Sequence, residues 1–334
     1  MRIALDAMGS DKCPTPDVEG AVLAAREYRD TVLLIGDEDL VKGELSKYNL
    51  KGTKIEVIHS PEFITMEDKP GEVGKSKPQS SMHIGLNLVK QGEADAFVTA
   101  GNTGAAMAIA TLFTLHRIPN VKRPALSSII RVTNNRTVIL LDIGANTDSK
   151  PEWLMQFAIM GKVYAQNALQ LNMPKVALLA NGEEETKGNQ LIHDAARLLN
   201  NLPDINFIGN IEPKDVLKGY ADVIVSDGFV GNIAIKSFEA MGSALFNLIR
   251  AEITSDPIAT IGGLLARRAF RRVYKQADPA EIGGAPLLGV NGVVIIGHGS
   301  SNAKAIKNAI RQARLAVQGK VIKSISDGLH KLSN

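Results

Sequence analysis

Gly, Asn, Ser and Asp gather in five short loops of this chain: 99–105 (TAGNTGA), 142–148 (DIGANTD), 181–189 (NGEEETKGN), 226–232 (SDGFVGN) and 297–302 (GHGSSN). Each follows an apolar, strand-like run and precedes a helix-like segment. Ligands of open α/β sheets bind at strand carboxyl ends. A helix that begins there aims free N–H groups and a partial positive charge outward. Glycine admits close backbone approach, and Asn and Ser side chains add hydrogen bonds. Loops of this kind, gathered at one rim of a sheet, make an anion site, most simply a phosphate site.

Gly101, Asn102, Thr103 and Gly104 are the clearest phosphate candidates, although a tight turn needs the same glycines. No Gly-Lys-Ser/Thr follows them, which sets aside a Walker loop. No GxGxxG follows the first strand, so a nicotinamide dinucleotide has no motif here. The polar stretch 71–81 places Lys75, Lys77, Ser80 and Ser81 just before a helix. Cations and hydroxyls at a helix start suit an anion; a surface loop explains them equally. His83, in the next turn, reads as a structural group. Glu183 to Glu185 read as solvated acids, and no metal is expected. Lys187, behind them, has the chemistry to neutralise a phosphate or a developing oxyanion. Asp227, Asn232, His298, Ser300 and Asn302 complete the polar set. His298 suits a base or a simple hydrogen-bond donor, with no Ser–His–Asp order and no GxSxG elbow around it. Cys13 is the only cysteine. It has no histidine near it in sequence, and a lone thiol is inert unless its surroundings lower its pKa.

These loops need a sheet to hold them. Strand-like runs occur at 3–5, 32–35, 55–58, 96–98, 127–132, 137–141, 176–180, 205–208, 223–225 and 293–296, with helical patterns between most of them. That alternation predicts a three-layer αβα fold with a mainly parallel sheet. The two runs flanking Thr133 to Arg136 read as a hairpin, which makes the sheet mixed. The whole chain, 1–334, reads as one α/β catalytic domain. Residues 231–276 contain no strand. Ala234, Phe238, Met241, Leu245 and Leu248 form an apolar stripe at helical spacing. For Phe238 and Met241 core packing is expected. Ser255-Asp-Pro257 interrupts the helix. Ile258, Ile261, Leu264 and Leu265 then make an apolar turn, and Arg267, Arg268, Arg271, Arg272 and Lys275 follow with no acid among them. The segment reads as a projecting helical hairpin whose apolar tip and basic return arm suit a membrane surface or a docking partner.

Composition narrows the classes further. The 334 residues carry 38 basic and 35 acidic side chains, a net +3, and only 4% aromatics, so neither charge nor stacking points to nucleic acid. One cysteine excludes a disulfide framework within the chain. Met1 to Asp6 reads as a strand and turn rather than a leader, and the expected compartment is the cytoplasm.

Taken together, DAMGSD at 6–11, KPQSS at 77–81, TAGNTGA at 99–105, RPAL at 123–126, LDIGAN at 141–146, NGEE at 181–184 with Lys187-Gly188, SDGFVGN at 226–232 and GHGS at 297–300 resemble the bacterial phosphate acyltransferase family, PlsX. The resemblance spans nearly the whole chain in order. It departs at the opening, where the family has Gly-Gly-Asp and this chain has Gly9-Ser10-Asp11. The resemblance implies a fold like that of phosphate acetyltransferases and isocitrate-dehydrogenase-like enzymes. It implies transfer of a long-chain acyl group from acyl carrier protein to inorganic phosphate, without a cofactor, at the start of phospholipid synthesis. It also implies a homodimer built through the hairpin, peripheral association with the inner membrane face, and hand-over to a membrane acyltransferase. On this reading Lys187 and Asn232 stabilise oxyanion and phosphate, Asp227 orients Lys187, and His298 and Ser300 are secondary contacts. Gly101 to Gly104, Lys77, Ser80, Ser81 and Asn146 bind phosphate. A short-chain phosphate acetyltransferase using coenzyme A and a non-catalytic membrane scaffold are the competing readings.

Overall fold

The structure, a computed structural model, describes residues 1–132 and 136–331. The expected turn at Thr133 to Arg136 therefore lies largely outside the described residues. The strands are β1 (Arg2–Asp6), β2 (Thr31–Gly36), β3 (Lys54–His59), β4 (Ala96–Thr99), β5 (Ala125–Arg131), β6 (Thr137–Leu141), β7 (Lys175–Leu179), β8 (Asn206–Ile211), β9 (Val223–Val225), β10 (Ala285–Leu288) and β11 (Val293–Ile296). The helices are α1 (Thr15–Tyr28), α2 (Glu38–Leu45), α3 (Pro70–Ser76), α4 (Ser81–Gln91), α5 (Thr103–Ala108, continuing as a π turn to Phe113), α6 (Pro151–Asn167), α7 (Gln190–Asn200), α8 (Pro213–Val216), α9 (Gly228–Ile253), α10 (Pro257–Ala277), α11 (Ala303–Gln318) and α12 (Val321–His330).

One mixed sheet runs β3-β2-β1-β4-β11-β10-β5-β6-β9-β7-β8. Side chains alternate across it with period two. Ile3, Leu5, Val32 and Leu34 face the core under α1, α2 and α11, while Ala4, Leu33 and Ile35 face the core under α4 and α5. In the other half Ile139 and Leu141 join the first core, and Val138 and Leu140 pack under α8 and the start of α9. This is the expected three-layer αβα arrangement.

Strand direction departs from the expected single rim. β10 is antiparallel to both β11 and β5, and β5 is antiparallel to β6. The half-sheet β3-β2-β1-β4-β11 therefore points opposite to β6-β9-β7-β8. Both halves nevertheless stop at one row. Leu5 pairs with Val98, Val98 with Ile295, and Ile295 with Pro286. The Ser127 hydroxyl donates to the Pro286 carbonyl at 2.9 Å, Ser127 pairs with Leu141, and Leu141 with Val225. The carboxyl ends of β1, β4, β11, β6 and β9 all fall at or next to this row. The loops after β4 and β11 leave it in one direction and those after β6, β7 and β9 in the other. β10 and β5, of four and seven residues, lie between the two halves and join them.

The stretch 228–277 is a helical hairpin. Asp256 caps α10 through Ile258 and Ala259 N–H, and the Phe246 and Tyr274 rings meet edge-on at 5.6 Å. Met241 is 73% exposed, which corrects its expected place in the core. Only the base of α9, including Phe238, packs on the body.

Candidate active site

The β4–α5 loop is anchored from below. The Thr99 hydroxyl donates to Asp6 Oδ2 at 2.8 Å and accepts the Gly101 N–H at 3.0 Å, and Asp6 Oδ1 accepts the Met8 N–H at 3.1 Å. Gly9 fits over this junction only because it lacks a side chain: a β-carbon there would lie 2.9 Å from both Gly101 N and Thr99 Oγ1. Burial pushes the Asp6 carboxyl up, against the pull of the Ser81 and Thr99 hydroxyls and the Met8 amide. Ser81 is thus buried beside Asp6.

Asn102 caps α5. Its Oδ1 accepts the Ala105 N–H at 3.0 Å, while its Nδ2 donates to the Asp68 carbonyl at 3.0 Å and lies 3.3 Å from that of Thr65. Its side chain is spent on holding the 65–68 strap. Lys77 is likewise engaged, with Nζ 2.6 Å from Asp68 Oδ2 and 3.1 Å from the Phe63 carbonyl. Its ammonium holds the Asp68 carboxyl below the usual value. Ser80 is buried with its hydroxyl on His83 Nδ1 at 2.9 Å. Thr103 and Gly104 stay half-exposed at the helix start, and no side-chain acceptor among the described residues takes their N–H groups. The β11 loop joins this group: Asp11 N–H donates to the Gly299 carbonyl at 2.8 Å, and the exposed pair His298 Nδ1 and Ser300 Oγ are 2.8 Å apart.

A second group forms beyond β6. Asp142 is fully buried, and its carboxylate accepts N–H groups from Leu126, Gly144, Ala145 and Asn146, plus the Asn146 Nδ2 at 2.9 Å. Asn146 Nδ2 also donates to the Pro124 carbonyl at 2.8 Å, so this amide braces the loop. The Gly228 N–H donates to the Asn146 carbonyl at 2.8 Å, and Asp227 Oδ1 accepts from Phe229 and Val230 N–H. The N-terminus of α9 is thus closed by its own cap. Asp227 serves as that cap, and no bond to Lys187 is recorded among the described residues, which corrects its expected orienting role. Asn232, one turn in, has no side-chain hydrogen bond among the described residues. It lines an open pocket of about 250 Å³ with Gly144, Thr147, Gly228, Phe229, Ile233 and Lys236. Lys236 escaped the sequence reading, although it lies four residues after Asn232, on the same helix face.

The two groups meet through apolar contact: Ile143 and Ala145 pack on the cluster that contains Ala105 and Ile109 of α5. Lys187 lies on a third loop, the one after β7. It is exposed on the β7–α7 loop, whose shape is fixed by Asn210 Nδ2 donating to the Glu184 and Lys187 carbonyls at 3.2 Å each. Glu183, on the same loop, pairs with Lys214 at 3.6 Å. Cys13 offers no nucleophile: burial, then the Asp17 and Asp6 carboxylates, push its thiol up to about 11.

A family model described as fatty acid synthesis protein matches residues 1–324. A phosphate acyltransferase of Dictyoglomus turgidum is 48% identical over 334 residues, covering 100% of this chain and 99% of that protein. Another, from Citrifermentans bemidjiense, is 48% identical over 313 residues, 94% of this chain and 88% of that one. Among solved structures, a phosphotransacetylase from Streptococcus pyogenes superposes with a TM-score of 0.60 at 17% identity, covering 97% of this chain and 94% of that one. A branched-chain phosphotransacylase from Enterococcus faecalis V583 gives 0.57 at 15% identity, over 95% and 99%. At such identities these structures speak for a shared fold alone. With a model matched from the first residue to 324 and full-length relatives at nearly half identity, the chain belongs to the fatty acid synthesis protein family, beside the bacterial phosphate acyltransferases.

Proposed function

We propose that the chain is an acyltransferase that moves a long-chain acyl group from acyl-(acyl carrier protein) to inorganic phosphate, giving acyl phosphate for phospholipid synthesis. The observation that carries this reading is the common row of strand ends, where anchored loops leave the Thr103 and Gly104 amides and the Asn232 side chain without a side-chain partner among the described residues. Phosphate is its own nucleophile and is dianionic near neutral pH. A phosphate oxygen attacks the thioester carbonyl, a tetrahedral oxyanion forms, and the thiolate leaves as the carbonyl is restored. The protein has to orient the two reactants and stabilise the oxyanion. It needs neither an acyl-enzyme residue nor a cofactor.

In this scheme the Gly101–Gly104 loop and Ser300 hold phosphate, and Asn232 and Lys187 face the developing oxyanion. His298 orders the Ser300 hydroxyl. Lys77, Ser80, Ser81 and Asn146 contribute by shaping the loops. The α/β body acts as one catalytic unit. The hairpin carries dimer formation and contact with an anionic membrane face on the cytoplasmic side, where a membrane acyltransferase takes up the product. Its exposed Ile258 (84%) and Leu265 (82%) beside Arg267, Arg268, Arg271 and Arg272 support that assignment. Among the described residues no helix is long and apolar enough to cross a membrane.

Acyl-phosphate formation from a long-chain acyl-carrier thioester, with and without inorganic phosphate, tests the reading. Phosphate-dependent product is expected. Turnover with a short acyl-coenzyme A alone would favour a phosphate acetyltransferase instead, and no turnover with either donor would leave only a scaffold.

A further inference from the structure

The junction under the β4–α5 loop has a hydrogen-bond direction. A hydroxyl has one proton. Thr99 Oγ1 lies 2.8 Å from Asp6 Oδ2 and 3.0 Å from the Gly101 nitrogen. The Gly101 N–H can only donate, so Thr99 Oγ1 accepts it through a lone pair and turns its proton to Asp6 Oδ2. Asp6 Oδ1 meanwhile accepts the Met8 N–H at 3.1 Å. One carboxylate therefore sets the backbone of two loops, and the absent side chain of Gly9 lets them touch. The whole junction is sealed: Asp6 is 1% exposed and Thr99 fully buried.

We infer that Asp6 and Thr99 are positioning residues for phosphate: their relay fixes the Gly101 peptide, and so the aim of the Thr103 and Gly104 N–H groups, without touching the ligand. This inference rests on the reading of 101–104 as the phosphate loop. It specifies a chemical polarity, not merely a packed core. In Asp6→Asn the amide oxygen serves the Met8 N–H and the amide nitrogen donates to Thr99. Thr99 Oγ1 can accept from both neighbours through its two lone pairs, but its proton loses the carboxylate that took it, and the relay is weakened at nearly equal size. Thr99→Val removes the hydroxyl at equal size. Thr99→Ser keeps it.

The test is steady-state kinetics of the full chain with inorganic phosphate and a long-chain acyl-carrier thioester, each varied in turn, with thermal unfolding measured in parallel. Losing or weakening one hydrogen bond of this kind is expected to raise the KM for phosphate by roughly 3–10-fold in Thr99→Val and Asp6→Asn. The KM for the acyl donor should stay within about twofold, and Thr99→Ser should return the phosphate KM to the wild-type value. Should Thr99→Val fail to fold, Thr99→Ala provides the same deletion with less crowding. An unchanged phosphate KM in the variants overturns the inference, as does an equal rise in both KM values, which would reveal a general structural role. A wild-type protein without phosphate-dependent turnover instead overturns the proposed reaction, and this inference with it.

Discussion

The side-chain nitrogen of Asn232 stands 3.2 Å from the point where a β-carbon on Gly144 would begin, and Gly144 has φ +141°. The loop after β6 and the first turn of α9 are therefore fitted to each other at a place where only glycine is free of strain. Gly144→Ala adds about 1–3 kcal/mol of backbone strain and displaces the Asn232 amide. A shift of a few tenths of an ångström is expected to lower kcat by less than the roughly 10²-fold that a 1 Å misplacement costs. Asn232→Ala should lower it by ~10²–10³ while the far-UV circular dichroism is unchanged. Wild-type turnover in Asn232→Ala would remove this amide from the mechanism.

Lys187 has no carboxylate partner within ion-pair distance among the described residues, in contrast to Lys77 with its 2.6 Å contact to Asp68. The expected outcome differs accordingly. Lys187→Ala should cost ~10²–10³ in kcat with little change in melting temperature. Lys77→Ala should loosen the 63–68 strap, visible as faster amide exchange there, with a smaller kinetic effect. If Lys77→Ala lost more activity than Lys187→Ala, the roles of the two lysines would have to be exchanged.

These two residues show how far the sequence could be read. Ten strand-like runs appear close to where the structure has strands, because apolar β-branched runs between Gly-rich turns are local signals. β10 left no such signal: it has four residues and contains Pro286. β10, antiparallel on both sides, leaves β11 and β5 parallel, and the reversal of half the sheet comes from the β5–β6 pair, which the sequence reads as a hairpin. α3 read as a loop because Pro70, Gly71 and Gly74 break the periodicity; Gly74 is there because the Phe113 ring lies where a side chain would be. For the site, the loop residues were legible by type, but their partners were not. Asn102 bonds backbone carbonyls 34 to 37 residues away, and nothing in a GNTG string announces that. The apolar stripe through Met241 announces an amphipathic helix and is silent on what covers it.

Cys13 lies close to Asp17, Asp6 and Asp11, and a covalent route through it would need a thiolate. With the thiol pushed up to about 11 by burial and by Asp17 and Asp6, the protein presents almost none at neutral pH. Cys13→Ala should retain activity within about twofold of wild type. An inactive Cys13→Ala protein with an unchanged melting temperature would bring the covalent route back.

His83 gives the fold a pH dependence. Its Nε2 is 3.1 Å from the Gly74 carbonyl, which can only accept, so that nitrogen carries the proton and Nδ1 accepts from Ser80. Burial lowers the pKa of the ring below the ordinary histidine value. The folded state thus favours the neutral ring more than the unfolded chain does. Its contribution is complete above about pH 6.5 and declines as pH falls from there through the lowered folded value. The melting-temperature difference between wild type and His83→Gln should therefore shrink from pH 7.5 to pH 5. A difference constant over that range would show that the ring does not titrate in this window.

The hairpin tip separates two uses of one surface. Ile258 and Ile261 are 84% and 61% exposed at the start of α10, while Arg267, Arg268, Arg271 and Arg272 lie further along it. Insertion of the tip into a bilayer interface gains from apolar burial, and each cation near an anionic surface adds about 1 kcal/mol. Ile258→Glu/Ile261→Glu removes the first term and leaves the arginines in place. Flotation with vesicles containing anionic lipid should fall sharply in this variant, while turnover in solution with the acyl-carrier thioester is retained. Arg268→Glu/Arg272→Glu attacks the second term, and its flotation deficit against wild type should be largest at low salt and shrink as salt screens the surface. Unchanged flotation of the Ile258/Ile261 variant would exclude the tip as anchor. If the arginine variant instead kept flotation and raised the KM for the acyl-carrier thioester, the return arm would be the docking surface for the acidic carrier protein.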